Sequence, residues 1–331
     1  MTALLVGAYG PDMNGTATGI RAAASGPDGL ALGAGFDCAS PSWLAVRGDR
    51  MVATLEGSGS LAWFRRDGDG DGWAADGVTE LEGVYPCHAA FLDDDTVAAA
   101  CYGDGAVVVA RHGQTRAVQR LDGSGSGPLP AQEGPHAHHV HVLPDGRVLT
   151  LDLGADRVHV HERTADGLLA RIDALALPAG TGPRDLHALP SGELAVLGEW
   201  SCEVLVLDPA GREFEIMQIV ALPDATPGEH QAAALGVSAD GRFLYAGIRG
   251  ADRIVVFALD PDGLRALGSV PSGGRWPRHL LVDGELLHVA NQLSDEITTF
   301  QIGADGIPVP LASTATPSPT CVIRAREPLL S

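Results

Sequence analysis

Histidines, carboxylates and arginines recur in this chain at spacings that could bring them to one site. At one place in a repeated pattern, the start of an apolar segment, lie His88, His138, Asp185 and His279. At a second place, just after the next apolar segment, lie Glu56, Tyr102, Asp152, Glu199, Arg249 and Gln292. A buried polar group without a partner costs about 1–3 kcal/mol. The two sets therefore predict either a satisfied polar network or a binding site.

Two arginines indicate what kind of ligand these residues could bind. Arg184 directly precedes Asp185, and Arg249 belongs to the second set. Two guanidinium groups that face one pocket repel each other unless they hold an anion or a carboxylate. We therefore expect an anionic ligand here, and Glu199 could neutralise one of the arginines from within the protein.

An internal repeat predicts how these residues are positioned. Each unit contains an apolar strand, an Asp/Gly turn, a second apolar strand, a bend of small residues and a Val-rich strand. The turn residues are 43 to 51 positions apart, and they are Asp49, Asp94, Asp145, Ser191, Asp240 and Asp283. This is the period of a four-stranded β-propeller blade, in which the innermost strands line a central channel.

The two chain ends complete a further blade. Apolar segments near Leu4 and Ile20 have no partner unit at the N-terminus, and the segment SPTCVIRAR begins at Ser318. Pairing them in one sheet closes the ring and removes two open edges. The sequence thus predicts an all-β, seven-bladed propeller, with residues 1–331 as a single domain. The Gly/Ser/Pro-rich stretch 123–130 is interpreted as a surface loop within it.

Composition excludes several functions. A formal charge of −20 disfavours nucleic acids and anionic membranes as partners. The chain has no lysine, which excludes lysine Schiff-base chemistry. Five widely spaced cysteines without a CxxC pair indicate neither a disulfide framework nor a zinc site. The N-terminus resembles a first strand, not a signal peptide. We expect a cytoplasmic monomer or weak homo-oligomer that uses no cofactor and no metal.

One acidic motif has a sharper alternative. The run Asp67-Gly-Asp69-Gly-Asp71-Gly72 has the spacing that opens a calcium loop. The twelfth position of such a loop requires Glu, whereas this chain has Val78, and no flanking helices are predicted. The run is therefore interpreted as a Gly-rich hairpin turn.

Several motifs, in the same order along nearly the whole chain, resemble those of one family. They are GAYGPDMNGTATGI near the start, QEGPHAHHV from Gln132, DLGADRV from Asp152, GPR from Gly182, SADGRFLYAGIRGADRIVVF from Ser238, and PRHL…VANQLSDEI from Pro277. The chain resembles the seven-bladed lactonase family that contains bacterial 6-phosphogluconolactonase and fungal carboxymuconate lactonising enzyme. The resemblance implies that the catalytic residues are His138, Arg184, Glu199 and Arg249. The other channel residues are expected to bind substrate, namely His88, Tyr102, Asp152, Asp185, His279 and Gln292.

Three positions depart from the family pattern. The family usually has His where this chain has Asp185, an acidic residue near Ala234, and Asn where this chain has Ile248. These departures bear on the identity of the substrate more than on the fold.

Lactone hydrolysis fits the residue types. It needs a base that activates a water molecule and positive charge where the carbonyl oxygen becomes an oxyanion. His138 or Glu199 could be the base, while Arg184 and Arg249 could bind a substrate phosphate or carboxylate. No GxSxG motif is present, which favours direct attack by water over an acyl-enzyme. An imidazole base predicts activity that changes over the pH range in which histidine titrates.

Hydrolysis of a small anionic lactone similar to 6-phosphogluconolactone, in the pentose phosphate pathway, is the leading hypothesis. A cycloisomerase that closes a carboxylated muconate to a lactone would use the same residue types. A non-catalytic interaction scaffold is the third alternative, because a propeller does not by itself define a function. An aromatic content of 5% and polar residues confined to the predicted channel favour an enzyme.

Overall fold

Short segments rich in β-branched residues, separated by turns of Gly, Asp and Pro, form the β-strands of this protein. The computed structural model describes residues 1–68, 72–127, 131–209 and 214–326. Within these ranges the chain forms seven four-stranded antiparallel sheets, which are the blades of a propeller. The all-β, seven-bladed prediction is confirmed.

The strands follow one another in chain order, and the blades are numbered in the same way. Blade 1 takes β1 (Thr2–Ala8), β2 (Gly19–Gly26) and β3 (Gly29–Asp37) from the N-terminus. Blade 2 consists of β4 (Pro41–Arg47), β5 (Arg50–Leu55), β6 (Ser60–Arg66) and β7 (Trp73–Glu80). Blade 3 consists of β8 (Pro86–Phe91), β9 (Thr96–Cys101), β10 (Ala106–Arg111) and β11 (Gln114–Arg120). Blade 4 consists of β12 (Ala137–Val142), β13 (Val148–Asp152), β14 (Arg157–Arg163) and β15 (Leu169–Ala176).

The remaining blades repeat this arrangement. Blade 5 consists of β16 (Pro183–Ala188), β17 (Leu194–Gly198), β18 (Glu203–Asp208) and β19 (Glu215–Ala221). Blade 6 consists of β20 (Gln231–Val237), β21 (Phe243–Arg249), β22 (Arg253–Asp260) and β23 (Gly263–Pro271). Blade 7 consists of β24 (Pro277–Asp283), β25 (Leu286–Asn291), β26 (Glu296–Ile302) and β27 (Pro308–Ala315), and β28 (Pro319–Arg324) completes blade 1. Short 3₁₀ helices occupy Pro11–Met13, Glu56–Ser58 and Gln292–Ser294.

The ring closes within blade 1. Strand β28 lies innermost in that sheet and pairs antiparallel with β1, so that Leu4 is opposite Arg324 and Gly7 is opposite Cys321. The innermost strands contact one another in sequence from β4 to β28, and β28 contacts β4 in turn. The predicted pairing of the two chain ends is thereby confirmed. Residues 123–127 of the predicted surface loop form neither strand nor helix, and residues 128–130 lie outside the described part of the chain.

Apolar side chains between neighbouring blades form the core. Between blades 4 and 5, for example, Leu149 and Val160 pack with Leu186 and Val196, and all four are buried. Burying one such side chain contributes about 1.5–3 kcal/mol. This sheet-on-sheet packing repeats around the ring and fixes the innermost strands about the channel.

Candidate active site

Each innermost strand carries a one-residue bulge near its start, at the channel. In all seven blades the pairing with the next strand skips one residue, and the skipped residues are Ser42, Cys87, His138, Arg184, Ala233, Arg278 and Thr320. We call these seven residues the bulge ring. They all line the narrowest part of the channel, where about 30 Å³ remains. A β-bulge re-aims a side chain out of the strand's alternation, and here it does so seven times around one axis.

The bulges correct the sequence alignment at one position. His138 was aligned with His88, Asp185 and His279, but the residue that follows the bulge in blade 4 is His139. We call His88, His139, Asp185 and His279 the histidine ring. The one-residue error arose because two histidines are consecutive in blade 4 and the bulge inserts a residue that a regular strand lacks.

A wider cavity opens on one side of the bulge ring. Its volume is about 350 Å³, and we call it the arginine mouth. The residues that concern the chemistry there are Tyr9, Glu56, Tyr102, His138, Arg184, Glu199, Arg249 and Arg278. The structure therefore brings the four predicted catalytic side chains, which come from blades 4, 5 and 6, into one cavity.

Glu199 holds two of the arginines. Its Oε2 atom lies 2.8 Å from Nε of Arg184 and 2.7 Å from Nη2 of Arg249, and the residue is only 7% exposed. Arg184 also donates from Nη1 to the carbonyl of Ala233. Burial lowers the pKa of Arg249 from 12.5 to about 10, although Glu199 opposes the shift. Arg249 therefore remains charged at neutral pH, and the Glu199 carboxylate lies between it and Arg184.

His138 differs from these neighbours in having a free ring nitrogen. Its Nδ1 atom is buried and has no hydrogen-bond partner among the described residues, and its ring lies edge-on to Tyr102 at 6.0 Å between centroids. Burial lowers the pKa of His138 well below 6.5, and the positive charges of Arg184 and Arg278 lower it further. The imidazole is therefore neutral at neutral pH and can accept a proton.

Arg278, Tyr9 and Glu56 form a second network that the sequence-based prediction of the site left out. Nη2 of Arg278 donates to the Tyr9 hydroxyl at 2.7 Å, and that hydroxyl donates to Oε2 of Glu56 at 2.8 Å. Nη1 of Arg278 donates to Oε1 of Gln292 at 3.2 Å. A usable signal was present, because Pro277-Arg278 repeats the Pro183-Arg184 dipeptide at the equivalent place in its blade.

The arginine mouth is positively charged although the whole chain is acidic. Its three guanidinium groups face the two carboxylates of Glu56 and Glu199, which leaves one net positive charge. Burial raises the pKa of Tyr102 to about 12 and also raises the pKa of Tyr9 and Cys87, so these side chains add no charge at neutral pH. The cavity thus suits a small anion.

Comparison with known proteins identifies the family. The sequence profile described as "Lactonase, 7-bladed beta-propeller" matches residues 4–324. The chain belongs to this lactonase family. A Bacillus subtilis protein named 6-phosphogluconolactonase is 30% identical over 303 residues, which cover 86% of each chain. An uncharacterised Lactococcus lactis protein is 33% identical over 270 residues, which cover 75% of this chain and 79% of the relative.

A solved structure agrees with the family assignment. The periplasmic gluconolactonase of Pseudomonas aeruginosa superposes with a TM-score of 0.88 at 28% identity, covering 97% of this chain and 98% of that one. The prediction of a lactonase enzyme with a small lactone substrate is confirmed at the level of the family. Hydrolysis of a lactone by water requires a base and positive charge near the developing oxyanion, and the arginine mouth contains an imidazole and three guanidinium groups.

Three of the predicted substrate-binding residues do not line the arginine mouth. His88, Asp185 and His279 face the opposite end of the channel, a cavity of about 560 Å³ that we call the histidine mouth. They also border the small cavity of about 30 Å³ that the bulge ring lines, because the residue after each bulge lies next to the bulged residue on the same strand. Tyr102 does line the arginine mouth, and Gln292 reaches it through Arg278.

Asp152 has no surface in either mouth. It is fully buried, and its Oδ1 atom accepts the backbone N–H groups of His136 at 2.9 Å, Gly154 at 3.1 Å and Ala155 at 3.0 Å. Asp152 therefore holds the bend after β13 in shape.

The side chains of the histidine ring are paired with one another and with backbone. Nδ1 of His139 lies 3.1 Å from Oδ1 of Asp185, and Oδ2 of Asp185 accepts the Leu235 N–H at 2.8 Å. His88 stacks on His139 with ring centroids 3.9 Å apart and accepts the Val140 N–H on Nδ1 at 3.2 Å. His279 accepts the Val322 N–H on Nδ1 at 3.2 Å. These contacts join neighbouring blades at the histidine mouth.

The structure bears on metal binding and on membrane crossing only within its described residues. In the described ranges no group of three or more His, Cys, Asp or Glu side chains is placed to hold a metal ion. Asp69 and Asp71 of the calcium-loop motif lie outside the described residues. Across the described chain no helix is long and apolar enough to cross a bilayer.

Proposed function

We propose that this lactonase hydrolyses a small lactone that bears an anionic group, with 6-phosphogluconolactone as the leading candidate. The observation that carries the proposal is the arginine mouth itself, where a neutral imidazole with a free nitrogen shares one cavity with three guanidinium groups. The Bacillus subtilis relative that bears the name of this activity supports the same substrate class.

His138 is the base in this proposal, and Glu199 is not. Glu199 is the counter-ion of Arg184 and Arg249 through Oε2, whereas the imidazole of His138 lines the same cavity and makes no described hydrogen bond or ion pair. A general base must have a free lone pair within reach of the proton that it removes. Glu199 instead positions the two arginines and offsets their mutual repulsion.

Arg184 and Arg249 bind the substrate's anionic group. Together with Glu199 they carry one net positive charge, and Arg guanidinium groups match the geometry of phosphate and carboxylate oxygens. Arg249 lines only the wider part of the mouth, so the anionic group lies on the solvent side and the lactone ring lies toward the bulge ring.

Hydrolysis then proceeds in two steps. His138 removes a proton from water, the water oxygen bonds to the lactone carbonyl carbon, and the π electrons move to the carbonyl oxygen. The carbonyl re-forms as the ring C–O bond breaks, and the leaving alkoxide takes the proton from His138. One water is consumed and one hydroxy acid is produced, with no covalent enzyme intermediate.

A substrate panel tests the proposal. The protein is assayed against phosphorylated, carboxylated and neutral lactones between pH 5 and 8, and each rate is corrected for spontaneous hydrolysis. We expect kcat/KM to be highest for an anionic lactone. It should stay nearly constant from pH 6 to 8 and fall only under more acidic conditions, because the pKa of His138 lies well below 6.5. Absence of enzymatic hydrolysis for every lactone in the panel would refute the proposal.

The lowered pKa of His138 changes the pH range in which activity is expected to fall. An ordinary imidazole predicts a rate change near pH 6.5, whereas burial beside two arginines moves the acidic limb to lower pH. A cytoplasmic location, a place in the pentose phosphate pathway and a monomeric or weakly oligomeric state stay predictions.

A further inference from the structure

We propose that Arg278 stabilises the oxyanion of lactone hydrolysis, and that Tyr9 and Gln292 hold it in place for that role. The inference rests on the proposed hydrolysis and adds a catalytic residue to it. It starts from a difference among the three arginines of the arginine mouth, which are similar in type but not in their partners.

Arg278 is the arginine whose charge is least neutralised by direct contacts. Arg184 and Arg249 both lie within 2.8 Å of the Glu199 carboxylate. The partners of Arg278 are the uncharged Tyr9 hydroxyl and the Gln292 amide oxygen, and none of the described carboxylates lies within ion-pair distance of it. Negative charge that develops on a substrate atom therefore meets a cation that no carboxylate contacts directly.

The position of Arg278 places that charge opposite the base. Arg278 and His138 both belong to the bulge ring and line the narrowest part of the channel. They lie on blades 7 and 4, three blades apart in a ring of seven, and therefore on opposite sides of the axis. A lactone carbonyl between them would face water on the His138 side and a guanidinium on the other side.

The contacts of Arg278 leave donors for this task. A guanidinium group has five N–H bonds, and the described contacts of Arg278 use one on Nη1 and one on Nη2. Two anchors on different nitrogens fix the plane of the group before substrate arrives. A donor that is already oriented stabilises a transition state without reorganisation, which is why oxyanion sites are pre-formed.

Arg278 acts in one event of the reaction, the formation of the oxyanion. As the water oxygen bonds to the carbonyl carbon and His138 takes the water proton, the π pair moves to the carbonyl oxygen, which becomes the oxyanion at Arg278. When the carbonyl re-forms, the ring C–O bond breaks and the proton passes from His138 to the leaving alkoxide. Arg278 donates hydrogen bonds throughout and neither gains nor loses a proton.

Steady-state kinetics with Arg278→Ala tests the role. We expect kcat to fall about 10²-fold or more, on anionic and neutral lactones alike, with KM changed by less than about threefold. Guanidinium ion added to the assay should restore part of kcat, because the deleted side chain leaves room for it. Arg275→Ala is the matched control, since Arg275 is an exposed arginine three residues earlier that donates to the Leu293 carbonyl, and it should behave as wild type.

Two milder variants keep the test decisive if Arg278→Ala does not fold. Arg278→Lys keeps a charge but loses the planar fork, and Tyr9→Phe removes one anchor, so each should lower kcat about tenfold while the protein stays folded by circular dichroism. Guanidinium should not rescue Tyr9→Phe, because its arginine is still present.

Two outcomes would overturn the inference. Wild-type kcat in the folded Arg278 variants would remove Arg278 from the chemistry. A loss seen only in KM and only for anionic lactones would make it an anchor for the substrate's anionic group. Wild-type protein that hydrolyses no lactone at all would instead refute the proposed function, so the two failures are distinguishable.

Discussion

The two mouths of the channel differ in chemistry although consecutive residues of the same strands build them. The pairs His138-His139, Arg184-Asp185 and Arg278-His279 each send their first member to the arginine mouth and their second to the histidine mouth. A one-residue bulge in each strand makes this division. Two adjacent positions in the sequence therefore belong to two different environments.

Hydrogen-bond satisfaction distinguishes the mouths more clearly than residue type does. In the arginine mouth His138 has a buried nitrogen without a described partner, and one positive charge is in excess. No member of the histidine ring leaves a buried, unpaired side-chain atom within the described chain. Buried polar groups that pair with one another stabilise a fold, whereas an unpaired one that borders an open cavity can interact with a ligand. The three histidines of the histidine ring are thus a weaker functional signal than the one histidine of the arginine mouth.

The largest expected effect compares two adjacent histidines. His138→Ala should lower kcat for lactone hydrolysis about 10²–10⁴-fold, because it removes the base. His139→Ala should lower kcat less than about tenfold, because His139 faces the other mouth and contacts Asp185. Initial rates at saturating substrate measure both.

Folding controls accompany this pair. Both variants should keep the circular dichroism spectrum of the wild type. Equal losses of kcat in the two would contradict the separation of the mouths.

The next effect concerns the carboxylate that holds the arginines. Glu199→Gln leaves two buried guanidinium groups without their counter-ion, and breaking a buried ion pair in this way costs about 3–5 kcal/mol. Urea unfolding at pH 7 should show a loss of that size, and inorganic phosphate should restore more stability to the variant than to wild type. Glu203→Gln, on the adjacent strand β18, is the control and should change stability by less than about 0.5 kcal/mol.

An unchanged midpoint for Glu199→Gln would mean that Glu199 does not neutralise the arginines in solution.

The sequence predicted the fold because the fold is repetitive. Turn residues such as Asp94 and Asp145 recur with a blade's period, and each connects the first two strands of its blade. The closure of blade 1 followed from unpaired apolar segments at both chain ends. Period and strand alternation depend on residue type alone, so they can be counted without coordinates.

The site could be predicted only in part, because a bulge shifts the facing of a side chain without changing residue type. His138, Arg184, Glu199 and Arg249 were identified through resemblance to a family and do share a cavity. His138 was aligned one place out of register, because nothing in two consecutive histidines shows which one is bulged. Arg278 was missed although Pro277-Arg278 repeats the Pro183-Arg184 dipeptide. That no described carboxylate contacts Arg278, which is the basis of its proposed role, is visible only in three dimensions.

The smallest expected effect tests whether Asp185, at the histidine mouth, stabilises the fold. Burial alone would raise the pKa of Asp185, but the hydrogen bond and charge of His139 and the Leu235 N–H outweigh it and hold the pKa at about 2, against 3.8 for the unperturbed group. A carboxyl whose pKa is lower in the folded state stabilises the protein above pH 4, and this contribution is lost as the pH falls toward 2. Asp185→Asn should therefore be less stable than wild type by about 2 kcal/mol at pH 6, and this difference in the free energy of unfolding should narrow between pH 4 and pH 3.

Exposed Asp28 provides the control, since Asp28→Asn should follow the wild-type curve of stability against pH. If the gap for Asp185→Asn stays constant with pH while lactone hydrolysis collapses, Asp185 acts on the substrate and the two mouths are not separate.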